Sequence, residues 1–177
     1  LERNDSGTPG ESRYRIVDAD QHVDPPHTFW KEYLPEHLRE FAPEIEEGDE
    51  HDWVVFEGKK RPLNLLSFLA GKEEINFKQK GKLADLRSAM SAQKRLNDMD
   101  DDQIDCAVLF GGGPLPTANS ELLIESYRAY NRWLADLCAE APDRFRGVAY
   151  LPMRDVEESV GFLREIAKLG FRSIKSM

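Results

Sequence analysis

The sequence predicts an α/β fold organised around a parallel β-sheet. Two observations support this: strand-like apolar runs alternate with amphipathic helical patterns, and the later runs are apolar at consecutive positions. Consecutive apolar positions are typical of parallel strands that are covered on both faces. The alternation implies right-handed crossover connections, which occur both in open doubly wound sheets and in (β/α) barrels. In both architectures, ligands bind at the carboxyl ends of the strands.

The first predicted strand begins as an apolar run at Ile16 and ends in acidic and imidazole side chains before Pro25. Side chains two apart share a face of a regular strand, so Asp18, Asp20 and His22 are expected to point the same way. Asp20 and His22 at the strand end are candidate ligands of a divalent metal, although a surface Asp and His beside a turn would look the same. Asp18, one step deeper, is a candidate partner of these ligands or a buried structural carboxylate.

A long segment with little periodicity separates this strand from the next helix. We assign residues 24–82 to an insertion, in which the acidic residues 44–52 are expected to form an exposed loop. Residues 53–56, followed by Glu57 and Gly58, predict a small β-hairpin. Irregular segments of this length in compact domains are often lids or binding loops. We therefore interpret the insertion as a lid or an interface element rather than as decoration.

Regular elements return in the order helix, strand, helix, strand, helix, strand. The apolar stripe of the first helix is Leu86, Met90, Leu96 and Met99, that of the second is Leu123, Tyr127, Tyr130, Leu134 and Leu137, and that of the third is Val156, Val160, Leu163 and Ile166 or Ala167. The strands are residues 106–110, residues 147–151 and a run that begins at Phe171. Asp155 is the expected N-cap of the third helix, and Gly170 is its expected C-terminal stop.

Two residues outside the first strand are candidates for substrate binding. Gly112 belongs to the triple-glycine loop after residues 106–110, which lacks the glycine spacing and the Lys-Ser/Thr ending of nucleotide-binding loops. Close approach of the backbone to a substrate, or a simple turn, explains this loop better. Trp30, together with Phe29 and Trp53, is expected either to line a pocket for an aromatic or unsaturated substrate or to anchor the insertion.

Composition limits the classes of function. The chain has 177 residues, enough for one domain, and its formal net charge of -9 disfavours binding to nucleic acid or to anionic membranes. No apolar run approaches the roughly 20 residues of a membrane-spanning helix. Cys106 and Cys138 lie in apolar stripes that suit packing in a reducing cytosol. We therefore expect a cytoplasmic protein that acts on a small molecule, with a disordered tail at residues 1–13.

Several segments together resemble one enzyme family. They are residues 16–23, 30–35, 99–110, 131–147 and 151–152, in a consistent order. The set resembles the amidohydrolase-related branch of the amidohydrolase superfamily, which includes aminocarboxymuconate-semialdehyde decarboxylase and related aromatic-acid decarboxylases. This resemblance implies a (β/α)8 barrel with a divalent metal, usually zinc and sometimes manganese or iron, at its carboxyl mouth. It places Asp20 and His22 at the positions of the first two ligands, with a carboxylate where the family pattern has a histidine.

The same resemblance implies that the chain, from residue 14 to residue 177, is the N-terminal half of such a barrel. Four parallel strands cannot close a barrel, and the sequence has no histidine after His51. We therefore expect the catalytic residues and the other ligands beyond Met177, on further sequence, a complementing C-terminal half or a second copy in a dimer. The expected activity is metal-dependent hydrolysis or non-oxidative decarboxylation of a small carboxylated or carbonyl compound. The alternative is a non-catalytic half-barrel or interaction subunit that has lost its metal.

Overall fold

The computed structural model describes residues 16–26, 28–63, 81–83 and 91–176. The predictions for the tail at residues 1–13, for Leu86 and for Met90 lie outside the described residues. In chain order the described elements are β1 Val17–Val23, α1 Phe29–Tyr33, a 3-10 helix Glu36–Phe41, β2 Glu44–Glu46, β3 Trp53–Phe56, β4 Lys59–Pro62, α2 Ala92–Asp101, β5 Cys106–Gly111, α3 Ser120–Ala139, β6 Phe145–Leu151, α4 Val156–Lys168 and β7 Ser173–Ser176. Among these residues no helix has the length and apolar character needed to cross a membrane.

The main sheet contains four parallel strands in the order β1-β5-β6-β7. Each neighbouring pair of strands is joined by a segment that contains a helix, as the alternation of apolar runs predicts. The α/β class and the parallel sheet are therefore confirmed. Because all four strands run the same way, their carboxyl ends lie at one edge of the sheet, where His22, Gly111 and Leu151 end or nearly end their strands.

Helix α3 forms the centre of the core against the sheet. Its start is capped by Asn119, whose Oδ1 accepts hydrogen bonds from the N–H groups of Glu121 and Leu122 at 3.0 and 3.1 Å. Its buried face includes Tyr127, Tyr130, Leu134 and Leu137, as the sequence predicts, with Leu123 only partly buried. Full burial of one such apolar side chain stabilises the fold by about 1.5–3 kcal/mol.

The predicted buried stripe of helix α4 is largely wrong. Ser159, Phe162 and Ile166 are the buried residues, whereas Val156, Val160 and Leu163 have exposed fractions of 78%, 40% and 42%. The helix has two apolar faces offset by about one residue, roughly 100°, and the face that contains the larger Phe162 packs on the sheet. The ends of α4 follow the prediction, because Asp155 accepts the N–H of Glu158 at 2.9 Å and Gly170 has φ +89°.

The insertion contains a small antiparallel sheet in the order β2-β3-β4. The predicted hairpin is confirmed: its turn residues Glu57 and Gly58 have φ angles of 48° and 70°, which suit a two-residue hairpin turn. The expectation of an exposed loop at residues 44–52 is wrong in part, because Glu44–Glu46 pairs with β3 and Asp52 is only 4% exposed. The Asp52 carboxylate accepts hydrogen bonds from the backbone N–H groups of Gly48 and Leu83 at 3.3 and 2.7 Å.

Helix α1 packs on α3 through an aromatic contact between Phe29 and Trp133 and through a hydrogen bond made by the Tyr33 phenol, a titratable group. The Tyr33 hydroxyl donates to Asp136 Oδ2 at 2.8 Å. Burial, followed by this hydrogen bond, raises the pKa of Tyr33 from 10.0 to about 12. Folding therefore favours the protonated phenol, and this contribution to stability is complete below pH 10 and is lost as the pH rises through about 12.

We expect the substitution Tyr33→Phe to weaken the fall in stability between pH 10 and pH 12. The phenylalanine has no proton to lose, so the slope of unfolding free energy against pH should become shallower in this range. Urea unfolding at several pH values measures the slope. Asp136→Asn, which keeps an acceptor but removes the charge, should give an intermediate slope. Equal slopes for Tyr33→Phe and the unaltered chain would contradict the assignment.

Candidate metal centre at the end of the first strand

Strand β1 is not regular, and its irregularity decides which side chains share a face. Asp18 lies opposite Ala107 of β5, and Gln21 lies opposite Leu109, so β1 has one more residue than β5 between these pairs. This is a β-bulge, which shifts the alternation of side chains by one position. Asp18 and Gln21 therefore lie on the face of the buried Ala107 and Leu109. His22, opposite Phe110, lies on the other face, so the prediction that Asp18 shares a face with His22 is wrong.

Asp20 and His22 lie together at the carboxyl end of β1. The distance from His22 Nδ1 to Asp20 Oδ1 is 4.0 Å, and the two side chains are 68% and 78% exposed. Carboxylate oxygens and imidazole nitrogens bind zinc and similar ions at about 2.0–2.2 Å, so two ligands of one ion can lie at most about 4.2 Å apart. Tetrahedral coordination at these bond lengths would place the two atoms about 3.4 Å apart, so a shared ion requires the exposed side chains to approach each other by about 0.6 Å. The donor types suit a divalent metal.

These two candidate ligands would form an incomplete set within the described part of the chain. No cluster of three or more His, Cys, Asp or Glu side chains that could hold a metal occurs among these residues. Asp18 contacts the backbone of one candidate ligand: its Oδ1 accepts a hydrogen bond from the backbone N–H of Asp20 at 3.1 Å. This hydrogen bond closes the bulge and holds Asp20 in place. The role of Asp18 as a partner of the ligands stays a prediction.

The triple-glycine loop lies directly beside this strand end, since Gly111 pairs with Val23. A Cβ atom on Gly111 would lie 1.4 Å from the Tyr130 hydroxyl oxygen, so only glycine fits there. The Tyr150 hydroxyl donates to the carbonyl oxygen of Gly111 at 2.7 Å. Gly113 has φ +84° and lies against the Tyr150 ring, whereas a Cβ on Gly112 would meet open space. The loop is therefore held by two tyrosines and presents Gly112 at the surface, where its substrate role stays a prediction.

Asn131, which the sequence reasoning missed, separates strands β5 and β6 near this loop. The pairing of β5 with β6 ends at Leu109 and Gly147. Beyond that point Asn131 from α3 takes the place of a strand: it donates to the Tyr150 carbonyl and accepts the Tyr150 N–H, both at 2.8 Å. An Asn in an apolar helix stripe was the signal available in the sequence. Asn131 thus parts two strands at the edge that carries Asp20 and His22.

The Tyr130 hydroxyl at this end of the sheet is buried in an unusual way. The Tyr130 hydroxyl has no hydrogen-bond partner among the described residues. Burial raises its pKa well above 10.0, and the negative charge of Asp24 adds to the shift. The phenol is therefore neutral at all ordinary pH values, and it fills the space that the missing Gly111 side chain leaves.

Two aromatic residues of the insertion, Phe29 and Trp30, pack in or against the core, whereas Trp53 contacts other residues of the insertion. Phe29 is fully buried, and its ring centroid lies 4.1 Å from that of the partly buried Trp30. Trp53 stacks with His51 at 4.5 Å. These contacts favour the anchoring interpretation for Trp30, and substrate binding by Trp30 stays a prediction.

The insertion is attached to the carboxyl end of the sheet. The Thr117 hydroxyl, in the loop between β5 and α3, donates to the Glu57 carboxylate of the hairpin turn. His37 Nε2 lies 2.9 Å from Glu121 Oε1 at the start of α3. The hairpin therefore sits beside the loops that border Asp20 and His22, which is where a lid would have to be. The lid function itself stays a prediction.

A concave region lies at the opposite, amino end of the sheet. This cleft of about 460 Å³ lies between the end of α3 and the start of β7 and includes Cys138, Gly147 and Phe171 in its lining. Burial raises the pKa of the Cys138 thiol to about 11, only partly offset by the Gly147 backbone and Arg146. A thiol of this kind is protonated and unreactive at neutral pH, as the packing interpretation predicts.

Comparison with known proteins assigns the fold and the family. Residues 17–177 match the profile of the amidohydrolase family. The structure is similar to an amidohydrolase from Mycobacterium avium subsp. paratuberculosis K-10, with a TM-score of 0.68 at 16% identity. It is also similar to 2,6-dihydroxybenzoate decarboxylase from Rhizobium, with a TM-score of 0.51 at 21% identity. A third similar structure is that of 5-carboxyvanillate decarboxylase from Novosphingobium aromaticivorans in complex with manganese, with a TM-score of 0.52 at 24% identity.

These similarities cover nearly all of this chain but less than two thirds of its relatives. The three structural matches include 94%, 92% and 94% of this chain, and 50%, 38% and 42% of the respective relatives. Over 80 residues the chain is 39% identical to γ-resorcylate decarboxylase from Rhodococcus jostii strain RHA1. These 80 residues are 44% of this chain and cover 24% of that protein. The four-stranded parallel sheet is thus part of a (β/α) barrel, and the chain belongs to the amidohydrolase family.

Proposed function

We propose that this chain carries the first half of the active site of a metal-dependent decarboxylase that acts on a small aromatic carboxylate. The observation that carries the proposal is the Asp20–His22 pair, 4.0 Å apart at the carboxyl end of β1. The relatedness to γ-resorcylate decarboxylase over 80 residues supports decarboxylation as the reaction. Hydrolysis at the same centre is the second candidate, because the family as a whole is described by that activity.

The charge at this strand end suits a cation. Asp18, Asp20 and Asp24 place three carboxylates within seven residues, and Asp20 is exposed on the side of His22. A local excess of negative charge raises the concentration of cations near the surface. We expect zinc or manganese, and the carboxylate at the first ligand position favours the harder manganese relative to a site with two histidines.

The residues of this chain would bind and orient, and the ion would supply the electrophile. A bound divalent ion polarises a carbonyl or orients and neutralises a carboxylate. Asp20 and His22 would hold it from one side. The loop around Gly112 would let substrate approach the backbone closely, since no atom of the described residues beyond its chain neighbours lies within 4 Å of where a Gly112 Cβ would be. The remaining ligands would come from residues outside the described part of the chain.

The ligand assignment predicts loss of metal binding in two single variants. We expect Asp20→Ala and His22→Ala each to weaken Mn²⁺ binding at least ~10-fold, since even residues that only orient ligands change metal affinity by that much. Titration of the protein with Mn²⁺, followed by the electron paramagnetic resonance signal of free Mn²⁺, measures the affinity. His37→Ala removes an exposed imidazole that pairs with Glu121 instead and should leave it unchanged.

The outcomes separate the candidate functions. Carbon dioxide release from a dihydroxybenzoate, lost in both ligand variants, supports the decarboxylase. Hydrolysis of an amide or ester without release of carbon dioxide would replace it with the second candidate. A folded protein that binds no divalent metal would contradict both and would favour a non-catalytic half-barrel.

A further inference from the structure

A single arginine connects helix α2 to the strand end that carries the candidate ligands. Arg95 Nη1 donates to the side-chain oxygen of Gln21 at 2.7 Å. Arg95 Nη2 donates to the backbone carbonyl of His22, also at 2.7 Å. The two acceptors belong to consecutive residues, so the planar guanidinium forms two hydrogen bonds with β1.

The bulge in β1 allows Arg95 to form both hydrogen bonds. Because the extra residue lies before Gln21, the Gln21 side chain lies on the face that β1 shares with the buried Leu109. In a regular strand, Gln21 would lie on the face opposite to Asp18 and would point away from Arg95. The bulge therefore directs Gln21 towards Arg95 and leaves the His22 imidazole on the other face. Only its carbonyl is in contact with the guanidinium.

The two groups that accept hydrogen bonds from Arg95 carry no charge, so they do not neutralise its positive charge. Both acceptors are neutral, and charge-assisted hydrogen bonds of this length are among the stronger ones in proteins. Burial lowers the pKa of the guanidinium, while Asp98, Asp24 and Asp18 act in the opposite direction. Arg95 is a cation placed behind a strand end that we expect to bind another cation. By charge alone it would weaken metal binding.

We propose that Arg95 is a positioning residue for the metal centre. By fixing the Gln21 side chain and the His22 carbonyl, it sets the direction in which the His22 imidazole leaves the strand. This inference rests on the proposed function, because the imidazole needs a fixed direction only if it binds an ion. Residues that orient metal ligands typically change the affinity 10–100-fold when they are removed.

Charge and positioning predict effects of opposite sign, which makes the test sharp. Lys94→Ala removes one positive charge from the neighbouring, exposed position of α2 and serves as the matched control. Removal of a cation should leave Mn²⁺ binding unchanged or strengthen it. Arg95→Ala removes the same charge together with the two hydrogen bonds. We expect it to weaken Mn²⁺ binding at least ~10-fold relative to Lys94→Ala.

Two milder variants keep the test valid if Arg95→Ala fails to fold. Arg95→Lys keeps the charge but loses the planar fork, and Gln21→Ala removes one of the two contacts. We expect both to weaken Mn²⁺ binding less than Arg95→Ala does, and circular dichroism verifies the fold of each variant. Arg95→Ala or Arg95→Lys binding Mn²⁺ as tightly as Lys94→Ala, while His22→Ala has lost binding, would overturn the proposal.

A measurement without metal separates this proposal from the proposed function. Amide hydrogen exchange at His22 and Val23 reports how well the strand end is held. We expect faster exchange there in Arg95→Ala than in Lys94→Ala, with the amides of α3 unchanged. If the unaltered chain binds no Mn²⁺, the proposed function fails, whatever the exchange result. If exchange at these two amides is the same in both variants, the positioning role of Arg95 is refuted even if metal binds.

Discussion

Gly111→Ala is expected to destabilise the fold by more than ~3 kcal/mol, beyond the usual range of overpacking in a core. The new methyl group would lie 1.4 Å from the Tyr130 hydroxyl oxygen and 2.4 Å from the ring carbon that bears it. Tyr130 is fully buried, and its ring packs against Trp133 and Tyr150 at centroid distances of 5.5 and 5.1 Å. It has no space into which to withdraw, so the backbone of β5 would have to move.

The neighbouring glycine provides the control. Gly112 has open space around its missing Cβ and no positive φ, so Gly112→Ala should change stability by less than ~0.5 kcal/mol. Thermal unfolding monitored by circular dichroism should show a melting temperature lower by roughly 6–12 °C for Gly111→Ala, at 2–4 °C per kcal/mol for a chain of this size. Tyr130→Phe in the Gly111→Ala background should restore part of the loss. Equal stability of the two alanine variants would contradict the clash.

Asn131→Leu is expected to cost about 2–6 kcal/mol, although leucine keeps the branched shape of the asparagine side chain. The substitution leaves the N–H and the carbonyl of Tyr150 buried without their 2.8 Å hydrogen bonds to the amide. Each unsatisfied buried backbone group costs about 1–3 kcal/mol. Strand β5 cannot supply replacements, because its pairing with β6 has already ended at Leu109.

Urea unfolding measures this cost, and Asn97→Leu on the exposed side of α2 is the matched control. Asn97 is exposed and accepts a surface hydrogen bond from Gln93, so its replacement should change stability by less than ~0.5 kcal/mol. Exchange of the Tyr150 amide hydrogen should become much faster in Asn131→Leu, because the group that protected it is gone. An unchanged exchange rate would mean that another group protects this amide, and the proposed role of Asn131 would be wrong.

The regular elements of the second half were predictable because their signals are local. The stripe around Tyr130 and Leu134 needs only the 3.6-residue period, and the cap at Asp155 needs only its own turn. The face of α4 was misassigned because Val156 and Val160 continue one apolar stripe while Phe162 starts another, and only the sheet decides between them. The three residues of β2 are too few to carry a period, and they are strand only through pairing with β3.

In the candidate site, too, local features could be predicted from the sequence and long-range contacts could not. Asp20 and His22 were predictable from their chemistry and from their position at the end of a strand. The bulge between them and Asp18 was not, because it is defined by the register with β5, about 90 residues away. Arg95 contacts Gln21 across 74 positions of sequence, and no local pattern connects the two. The candidate ligands can therefore be identified from the sequence, and their role as ligands stays a prediction, whereas the groups that we propose orient them depend on tertiary contacts.

The bulge in β1 also lowers the electrostatic cost of an acidic strand end. In a regular strand, the carboxylates of Asp18 and Asp20 would share one face about 6.6 Å apart, and each would disfavour the charge of the other. The extra residue places Asp18 on the helix side, where the positive field of Arg95 reaches it and the Asp20 N–H donates to it. The negative charge is thereby divided between two faces. One carboxylate is balanced from within the protein, and the other, beside His22, remains available for the divalent cation that we propose.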